Sequence, residues 1–105
     1  MPRYAKRTDD NHTLVKEQTK EVFPEASIED MAGAGNGFPD LCMGLWGFNF
    51  FIEIKDPKKP PSRRRLTAAQ ERFHGRWQGT CWVCGTAAEV AANVARFFAK
   101  GKGGA

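Results

Sequence analysis

The run of residues 48–55 constrains the fold more than any other part of the chain. Its side chains alternate in character, with Phe48, Phe50, Ile52 and Ile54 on one side and Asn49, Phe51, Glu53 and Lys55 on the other. A period of two predicts a β-strand that presents a different set of side chains to each face of a sheet. A second strand-like run, residues 39–45, ends at the dipeptide Trp46-Gly47. Together the two runs predict an antiparallel hairpin with a tight turn.

A helix is predicted before the hairpin, over residues 9–23, where apolar residues recur at helical spacing and Pro24 follows the last of them. Thr8 is the expected N-cap of this helix. Asp9 and Asp10 are expected in its first turn, where the helix dipole favours negative charge.

The remaining elements complete an α-β-β-β-α-β-α order. A strand is predicted over residues 26–31, followed by a glycine-rich loop at 33–37. Capping-box spacing predicts a helix over residues 67–78 and a last helix from Thr86, with a short strand around Cys81 between them. This order predicts an α/β fold with a mixed four-stranded sheet flanked by helices and an additional C-terminal helix.

The size of the chain limits it to one domain. Its 105 residues, 41% of them hydrophobic, suffice for a single core, and no linker or repeat divides them, so residues 1–105 are read as one domain with 1–7 and 100–105 flexible. No apolar run reaches the ~20 residues of a membrane span, and acidic and polar residues, not the apolar stretch expected of a signal peptide, follow the first seven residues. Three cysteines suit a reducing compartment. A protein free of the membrane, in the cytoplasm of a bacterium or of a phage-infected host cell, is therefore expected.

Two of the cysteines, Cys81 and Cys84, form a C-x-x-C pattern. Residues three apart on a strand point to opposite faces, so these two sulfurs are not expected to share a zinc ion. They are read as ordinary buried thiols.

Three charged residues on the hairpin carry the candidate chemistry. Asp40 begins one strand and Glu53 lies late in the other, so pairing across the turn can bring the two carboxylates together, and Lys55 shares a face with Glu53. Two close carboxylates repel unless a cation joins them, and hard oxygen ligands suit Mg²⁺ or Mn²⁺. The plainer interpretation is a turn-capping Asp40 with solvated Glu53 and Lys55. Charge within so apolar a strand favours the functional interpretation.

At this point the sequence resembles a known family. Gly-Phe-Pro-Asp at 37–40, Glu-Ile-Lys at 53–55, a basic proline-containing loop and Leu-Thr-Ala-Ala-Gln at 66–70 are similar to the VRR-NUC branch of the PD-(D/E)XK nuclease superfamily, which is related to Holliday-junction resolvases and includes small phage proteins. The resemblance covers roughly residues 9–90. It implies a restriction-endonuclease-like αβββαβ core and metal-assisted hydrolysis of phosphodiester bonds that leaves 5′-phosphate and 3′-hydroxyl ends.

The resemblance also assigns roles to particular residues. Asp40, Glu53 and the backbone carbonyl of Ile54 would bind the metal, and Lys55 would position the attacking water and stabilise charge on the phosphate. Gln70 matches the family's helix glutamine. Its alternative role is to complete the capping box with no part in the site.

The sequence departs from the family in the first helix, where a glutamate is usual. Asn11 aligns best with that position and could hold a metal-bound water without supplying charge. Asp10 is the nearest carboxylate and a possible metal ligand, and Glu17 is a further candidate. This departure leaves open whether a second metal binds.

The predicted partner is DNA. The basic residues Lys58, Lys59, Arg63, Arg64 and Arg65 follow the strand of Lys55, and they are interpreted as phosphate contacts rather than as a solvated charge run. The resemblance implies branched or flapped substrates and a homodimer. His12 and His74 are read as surface or packing residues.

Two alternatives stay open. The first is a non-catalytic nucleic-acid-binding module on the same fold, which the Asn11 departure supports. The second is a protein-interaction domain, which does not explain a carboxylate and a lysine in an apolar strand.

Overall fold

A computed structural model, which describes residues 9–100, confirms the predicted order of the main elements. The helices are α1 (His12–Val22), α2 (Pro61–Arg64), α3 (Ala68–Arg76) and α4 (Ala87–Ala99), and the strands are β1 (Ser27–Asp30), β2 (Leu41–Leu45), β3 (Phe48–Ile54) and β4 (Thr80–Cys84). Two short helical turns were not predicted, the 3-10 turn Ala32–Ala34 in the glycine-rich loop and α2 after β3. The expectations for residues 1–7 and for the tail beyond Lys100 lie outside the described residues. No helix within residues 9–100 has the length and apolar character needed to cross a membrane.

The four strands form one mixed sheet in the order β1-β2-β3-β4, antiparallel except for the parallel pair β3 and β4. Trp46 and Gly47 connect β2 to β3 with φ values of +52° and +88°. Two consecutive positive φ angles define the tight hairpin turn whose twist matches that of the flanking strands. This turn sets the register in which Leu41 pairs with Ile52.

The two faces of the sheet are covered unequally. One face packs against α1 and α4, and its fully buried side chains include Leu41, Met43, Phe50, Ile52 and Ile54. The opposite face, which carries Phe51 and Glu53, contacts α3 through Phe73 and Trp77. Alternation along β3 thus separates the main core from the face that carries the charged residues.

The first helix begins three residues later than predicted. Asn11 is its N-cap, so the predictions that Thr8 caps the helix and that Asp9 and Asp10 lie in its first turn are wrong. Their carboxylates make tertiary contacts instead, because Asp9 accepts a hydrogen bond from the backbone N–H of Asp56 at 3.0 Å and Asp10 pairs with Lys59 at 3.1 Å. These contacts join the start of α1 to the basic segment.

The basic segment was predicted to be a continuous loop. In the structure it contains the single helical turn α2. Pro61 occupies the first helical position, where its missing N–H costs nothing and its fixed φ suits a helix. Arg63 and Arg64 lie in the last turn, where the helix dipole favours positive charge.

Candidate active site

Asp40 and Glu53 are buried carboxylates on the two arms of the hairpin. Asp40 lies directly before β2, and extending the pairing of Leu41 with Ile52 by one residue places it opposite Glu53 on the α3 side of the sheet. The exposed fraction is 3% for Asp40 and 1% for Glu53. Charged groups at this depth are stable only where hydrogen bonds or cations compensate them.

A backbone group of β3 contacts the first of these carboxylates. The N–H of Ile54 donates to Oδ2 of Asp40 at 2.8 Å. In an extended strand the N–H and the carbonyl of one residue point toward the same neighbouring strand. The carbonyl oxygen of Ile54 therefore faces the side on which Asp40 lies.

Gln70 connects the second carboxylate to Lys55. Its Oε1 accepts hydrogen bonds from the backbone N–H of Thr67 at 2.8 Å and from Nζ of Lys55 at 2.9 Å, and its Nε2 donates to Oε2 of Glu53 at 2.9 Å. An N–H and an ammonium can only donate, so they require the oxygen of the amide on their side and leave the NH₂ group for Glu53. The two roles weighed for Gln70 are therefore compatible, since it completes the capping box and contacts the site residues.

The glycine-rich loop, residues 33–37, packs against the backbone of α3, the helix that carries Gln70. Gly37 has a φ of +79°, and a Cβ at this position would lie 2.3 Å from the carbonyl oxygen of Ala69. Only glycine permits this approach. The sequence marks the loop by its glycines, but the contact between the loop and α3 has no signal in the sequence.

The first-helix candidates lie at different places. Nδ2 of Asn11 donates to the carbonyl oxygen of Gly85 at 2.8 Å and approaches that of Lys55 at 3.5 Å, whereas its buried Oδ1 accepts no hydrogen bond from residues 9–100. Asp10 is exposed and paired with Lys59. Glu17 is exposed and lines a groove between α1 and β1. Of the three residues, Asn11 is the one bonded at the end of the Lys55 strand.

The basic residues of the predicted DNA contact are mostly exposed. Lys59 is partly buried and bonded to Asp10, while Lys58, Arg63, Arg64 and Arg65 are solvent-facing. The segment is held at its start because Oδ1 of Asp56 accepts a hydrogen bond from the N–H of Lys58 at 2.9 Å. An exposed, positively charged segment thus follows Lys55 and the end of β3.

The two thiols of the C-x-x-C pattern point to opposite faces of β4, as predicted. Cys81 contacts Nε2 of His74 on the α3 side at 3.5 Å, and Cys84 lies against Asn93 of α4 at 3.4 Å. Burial is the main cause that raises the pKa of each thiol to about 11. At neutral pH both are protonated and are poor metal ligands and nucleophiles.

The other predicted packing histidine, His12, is 5% exposed and bonded to Asp30 at 3.0 Å. Burial raises the pKa of Asp30, but hydrogen bonds from the N–H of Ala32 and from His12, with the charges of His12 and Lys16, outweigh it and lower the pKa overall. Both histidines are thus engaged in contacts within the fold, as predicted.

The donor set fits a hard divalent cation. Two carboxylates and a backbone carbonyl, those of Asp40, Glu53 and Ile54, are oxygen donors of the kind that Mg²⁺ and Mn²⁺ prefer. Within residues 9–100, no three side chains of His, Cys, Asp or Glu are grouped so as to hold a metal. Water and substrate oxygens would have to complete the coordination, as is common for Mg²⁺.

Comparison with known structures defines the class of this fold. A solved structure described as a VRR_NUC domain aligns with 87% of this chain and 99% of its own, with a TM-score of 0.59 and 26% sequence identity. The mixed sheet flanked by helices is accordingly a restriction-endonuclease-like nuclease fold.

The likeness supports the assignment of this chain to the VRR-NUC family. Its sequence matches no family model and no curated protein. The family is therefore supported by the likeness in structure and by the motif residues that surround the two carboxylates.

Proposed function

We propose that this protein is a divalent-metal-dependent DNA endonuclease that hydrolyses phosphodiester bonds. The observation that carries the proposal is the pair of buried carboxylates, Asp40 and Glu53, on one face of the sheet, with Lys55 linked to Glu53 through Gln70. A structural role alone does not require two acids and an ammonium to be placed together at the end of an apolar hairpin.

Asp40, Glu53 and the carbonyl of Ile54 would hold Mg²⁺ or Mn²⁺. When bound, such a cation supplies charge for a phosphate oxygen and makes a coordinated water more acidic. Lys55 orients the attacking water and stabilises the charge that develops on the phosphate. Gln70 keeps the ammonium in place through the 2.9 Å hydrogen bond to its Oε1.

Substrate binding is assigned to the basic segment. Lys58, Arg63, Arg64 and Arg65 present exposed positive charge on the segment between Lys55 and Thr67, which both bond to Gln70. Such groups bind phosphates without reading sequence. Branched or flapped DNA, products with 5′-phosphate ends and a homodimer follow from the family resemblance. Lys59 joins these contacts only when DNA competes with Asp10 for its ammonium.

A second candidate function is DNA binding without cleavage. It is favoured by Asn11, which stands where the family usually has a glutamate and whose amide bonds to backbone carbonyls. On this alternative, the fold and the basic segment bind nucleic acid and the carboxylates are remnants.

A cleavage assay with site variants tests the proposal. Purified protein is incubated with supercoiled plasmid, a four-way junction and a flapped duplex, in Mg²⁺, Mn²⁺ or EDTA. Wild-type protein is expected to cut the DNA with Mg²⁺ or Mn²⁺ and not to cut it in EDTA. The rate of cutting should fall by at least ~10²-fold in Asp40→Asn and in Lys55→Met. Glu21→Gln, an exposed acid on α1, is the matched control and should cut like the wild type.

The outcomes separate the candidates. Tight binding to DNA with no cutting under either metal supports the binding module. Absence of both binding and cutting, in a sample whose circular dichroism shows a folded α/β protein, contradicts both.

A further inference from the structure

An aromatic side chain lies exposed on the helix that carries Gln70. Trp77 follows the last residue of α3, and its backbone N–H still bonds to the carbonyl of Phe73. It comes seven residues after Gln70, which places both on one stripe of the helix, roughly 10 Å apart along its axis. Its exposed fraction is 42%, although the indole has two ring contacts.

Part of the indole is covered by other rings and part of it is open. Its centroid lies 5.3 Å from that of Phe73, with ring planes 14° apart, and 4.9 Å from that of Phe51. Phe51 and Phe73 are themselves 5.9 Å apart, so the three rings form one cluster. With 42% of Trp77 exposed, part of the indole outside these contacts is open to solvent.

The indole is held in this orientation by close packing. A Cβ added to Gly79 would lie 2.8 Å from Nε1 of Trp77, so the backbone passes directly against the edge of the ring. Together with the stack on Phe73, this contact makes the exposed part of the indole a preformed flat surface. Preformed surfaces bind with a smaller loss of conformational entropy.

A cleft of about 400 Å³ opens beside the indole, on the face of the sheet that carries the carboxylates. Its lining includes Phe51, Cys42 and the exposed Asn49, and no charged side chain belongs to it. Phe51 and Glu53 lie two residues apart on the same face of β3, or roughly 7 Å along the strand. A ligand in the cleft would therefore lie within a few nucleotide steps of the phosphate at the carboxylates.

The charge near the indole is suited to a polyanion. The guanidinium of Arg76, the residue before Trp77, lies over the ring of Phe73, 5.1 Å from its centroid. A cation near an exposed aromatic surface is the combination from which single-stranded nucleic acid sites are built.

We propose that Trp77 stacks an unpaired nucleobase of the DNA substrate and so directs the enzyme to DNA with a single-stranded arm. This inference rests on the proposed function, since the arm is placed relative to the phosphate at Asp40 and Glu53. A base has two apolar faces and a polar edge, so it fits a flat surface beside an amide such as Asn49. Stacking is tolerant of base identity and selects unpaired strands rather than a sequence.

The other strongly exposed tryptophan does not have these features. Trp46, 55% exposed, lies at the β2–β3 turn and packs against Phe23 and Phe98 on the α1 and α4 side of the sheet. Its Nε1–H donates to the carboxylate of Glu25 at 3.0 Å, and this negative charge disfavours DNA. Trp46 is therefore the matched control for Trp77.

Binding is measured in EDTA, where no cutting is expected, by fluorescence anisotropy with three labelled DNAs. These are a blunt duplex, the same duplex with a single-stranded arm, and that duplex with abasic sites throughout the arm. Wild-type protein is expected to prefer the arm that carries bases. Trp77→Leu should lower affinity for that DNA roughly 5- to 150-fold, the range produced by removing one base–aromatic stack.

Matched variants distinguish stacking from disruption of the fold. Trp77→Tyr keeps an aromatic face and should retain most of the preference, and Trp46→Leu should bind all three DNAs like the wild type. The affinity of wild-type protein for the duplex with the abasic arm should be no higher than the affinity of Trp77→Leu for the duplex whose arm carries bases. Thermal unfolding of each variant checks that it is folded.

Equal affinity of wild type and Trp77→Leu for the armed duplex would overturn the inference and leave the proposed endonuclease intact. The inference would also be overturned if Trp77→Leu lowered affinity for all three DNAs by the same factor. Failure of the wild type to bind or cut any DNA would instead contradict the proposed function.

Discussion

The side chain of Gln70 connects three residues of the candidate site and of the helix that covers it. Its amide oxygen accepts from Thr67 and Lys55 and its NH₂ group donates to Glu53, so the two ends of the amide are not interchangeable. The sequence contains the spacing of a capping box, which predicts the first of these bonds. The other two depend on which residues of β3 lie beneath α3.

Replacing Gln70 by glutamate tests this orientation. Gln70→Glu keeps acceptors for Thr67 and Lys55 but puts a carboxylate oxygen where a donor faced Glu53, and like charges at this depth repel. In EDTA, the free energy of unfolding in urea is expected to fall by about 1–3 kcal/mol.

Mn²⁺ should recover more stability in Gln70→Glu than in the wild type, because the cation then binds one more carboxylate and favours the folded state. Gln70→Leu, which removes the cap without adding charge, is the control and should gain nothing extra from Mn²⁺. Unchanged stability of Gln70→Glu in EDTA would contradict the assigned orientation.

The pKa of the Cys81 thiol depends on the negative charge of Glu53. Burial, then the negative charge of Glu53, then Cys84 raise its pKa to about 11. Because a raised pKa keeps the thiol protonated, only about one thiol in a thousand is ionised at pH 8. Its alkylation by iodoacetamide, followed by mass spectrometry of the Cys81 peptide, is expected to be slow at pH 8 and to accelerate about tenfold per pH unit up to pH 11.

Removing the neighbouring charge should lower the pKa of Cys81. Glu53→Gln is therefore expected to alkylate faster at pH 8 than the wild type. Glu21→Gln, remote from the thiol, should leave the rate unchanged. If Cys81 reacts at pH 8 as fast as a free cysteine, the assigned environment is wrong.

At the scale of elements, the contact between the glycine loop and α3 determines where Gln70 stands. Gly37 and Gly35 both have positive φ, +79° and +70°, but only Gly37 lies against the helix backbone. Substitutions at the two glycines therefore separate the strain of a turn from the cost of a steric clash with α3.

Gly35→Ala is expected to destabilise the protein by about 1–2 kcal/mol through backbone strain alone and to leave cutting largely intact. Gly37→Ala adds a clash with the carbonyl of Ala69, so α3 must shift. We expect Gly37→Ala to cost at least ~2 kcal/mol more and to abolish most of the cutting. Urea unfolding and the plasmid assay measure the two effects, and equal behaviour of both variants would contradict the role of the contact.

Elements were predicted well where local patterns are strong and poorly where tertiary contacts compete. The hairpin turn at Trp46-Gly47 and the capped helix α3 match the predicted positions closely. The start of α1 differs from the prediction because Asp9 and Asp10 bond to the segment that follows β3. A local rule for helix caps contains no information on these partners, which lie far away in the chain.

At the scale of the whole molecule, a net charge of +4 is too small to predict DNA binding without its distribution. The exposed arginines of the basic segment follow the strand of the site, whereas other basic residues, such as Lys16 and Arg96, lie on α1 and α4. The two groups allow a charge-matched comparison.

The triple variant Arg63→Gln, Arg64→Gln, Arg65→Gln is expected to weaken DNA binding and to reduce the slope of log K against log salt by about 0.9 for each phosphate that the protein no longer neutralises. Removing three charges elsewhere, with Lys16→Gln, Arg96→Gln and Lys100→Gln, should change the slope much less. Binding titrations over a range of salt concentrations measure both slopes. Equal slopes for the two triple variants would show that the basic segment does not bind the DNA.

The sequence by itself predicted the hairpin and the order of the main elements, and it indicated Asp40, Glu53 and Lys55 as the candidate site, because alternation, turn chemistry and charge within an apolar strand are local properties. Only the tertiary structure decided that Gln70 links Glu53 to Lys55, that Asp10 is taken up by Lys59, and that Trp77 is left open beside the site. Each of these depends on the packing of α3 or α1 against distant residues. Such contacts are selected by the shape of the whole fold, and no short stretch of sequence encodes them.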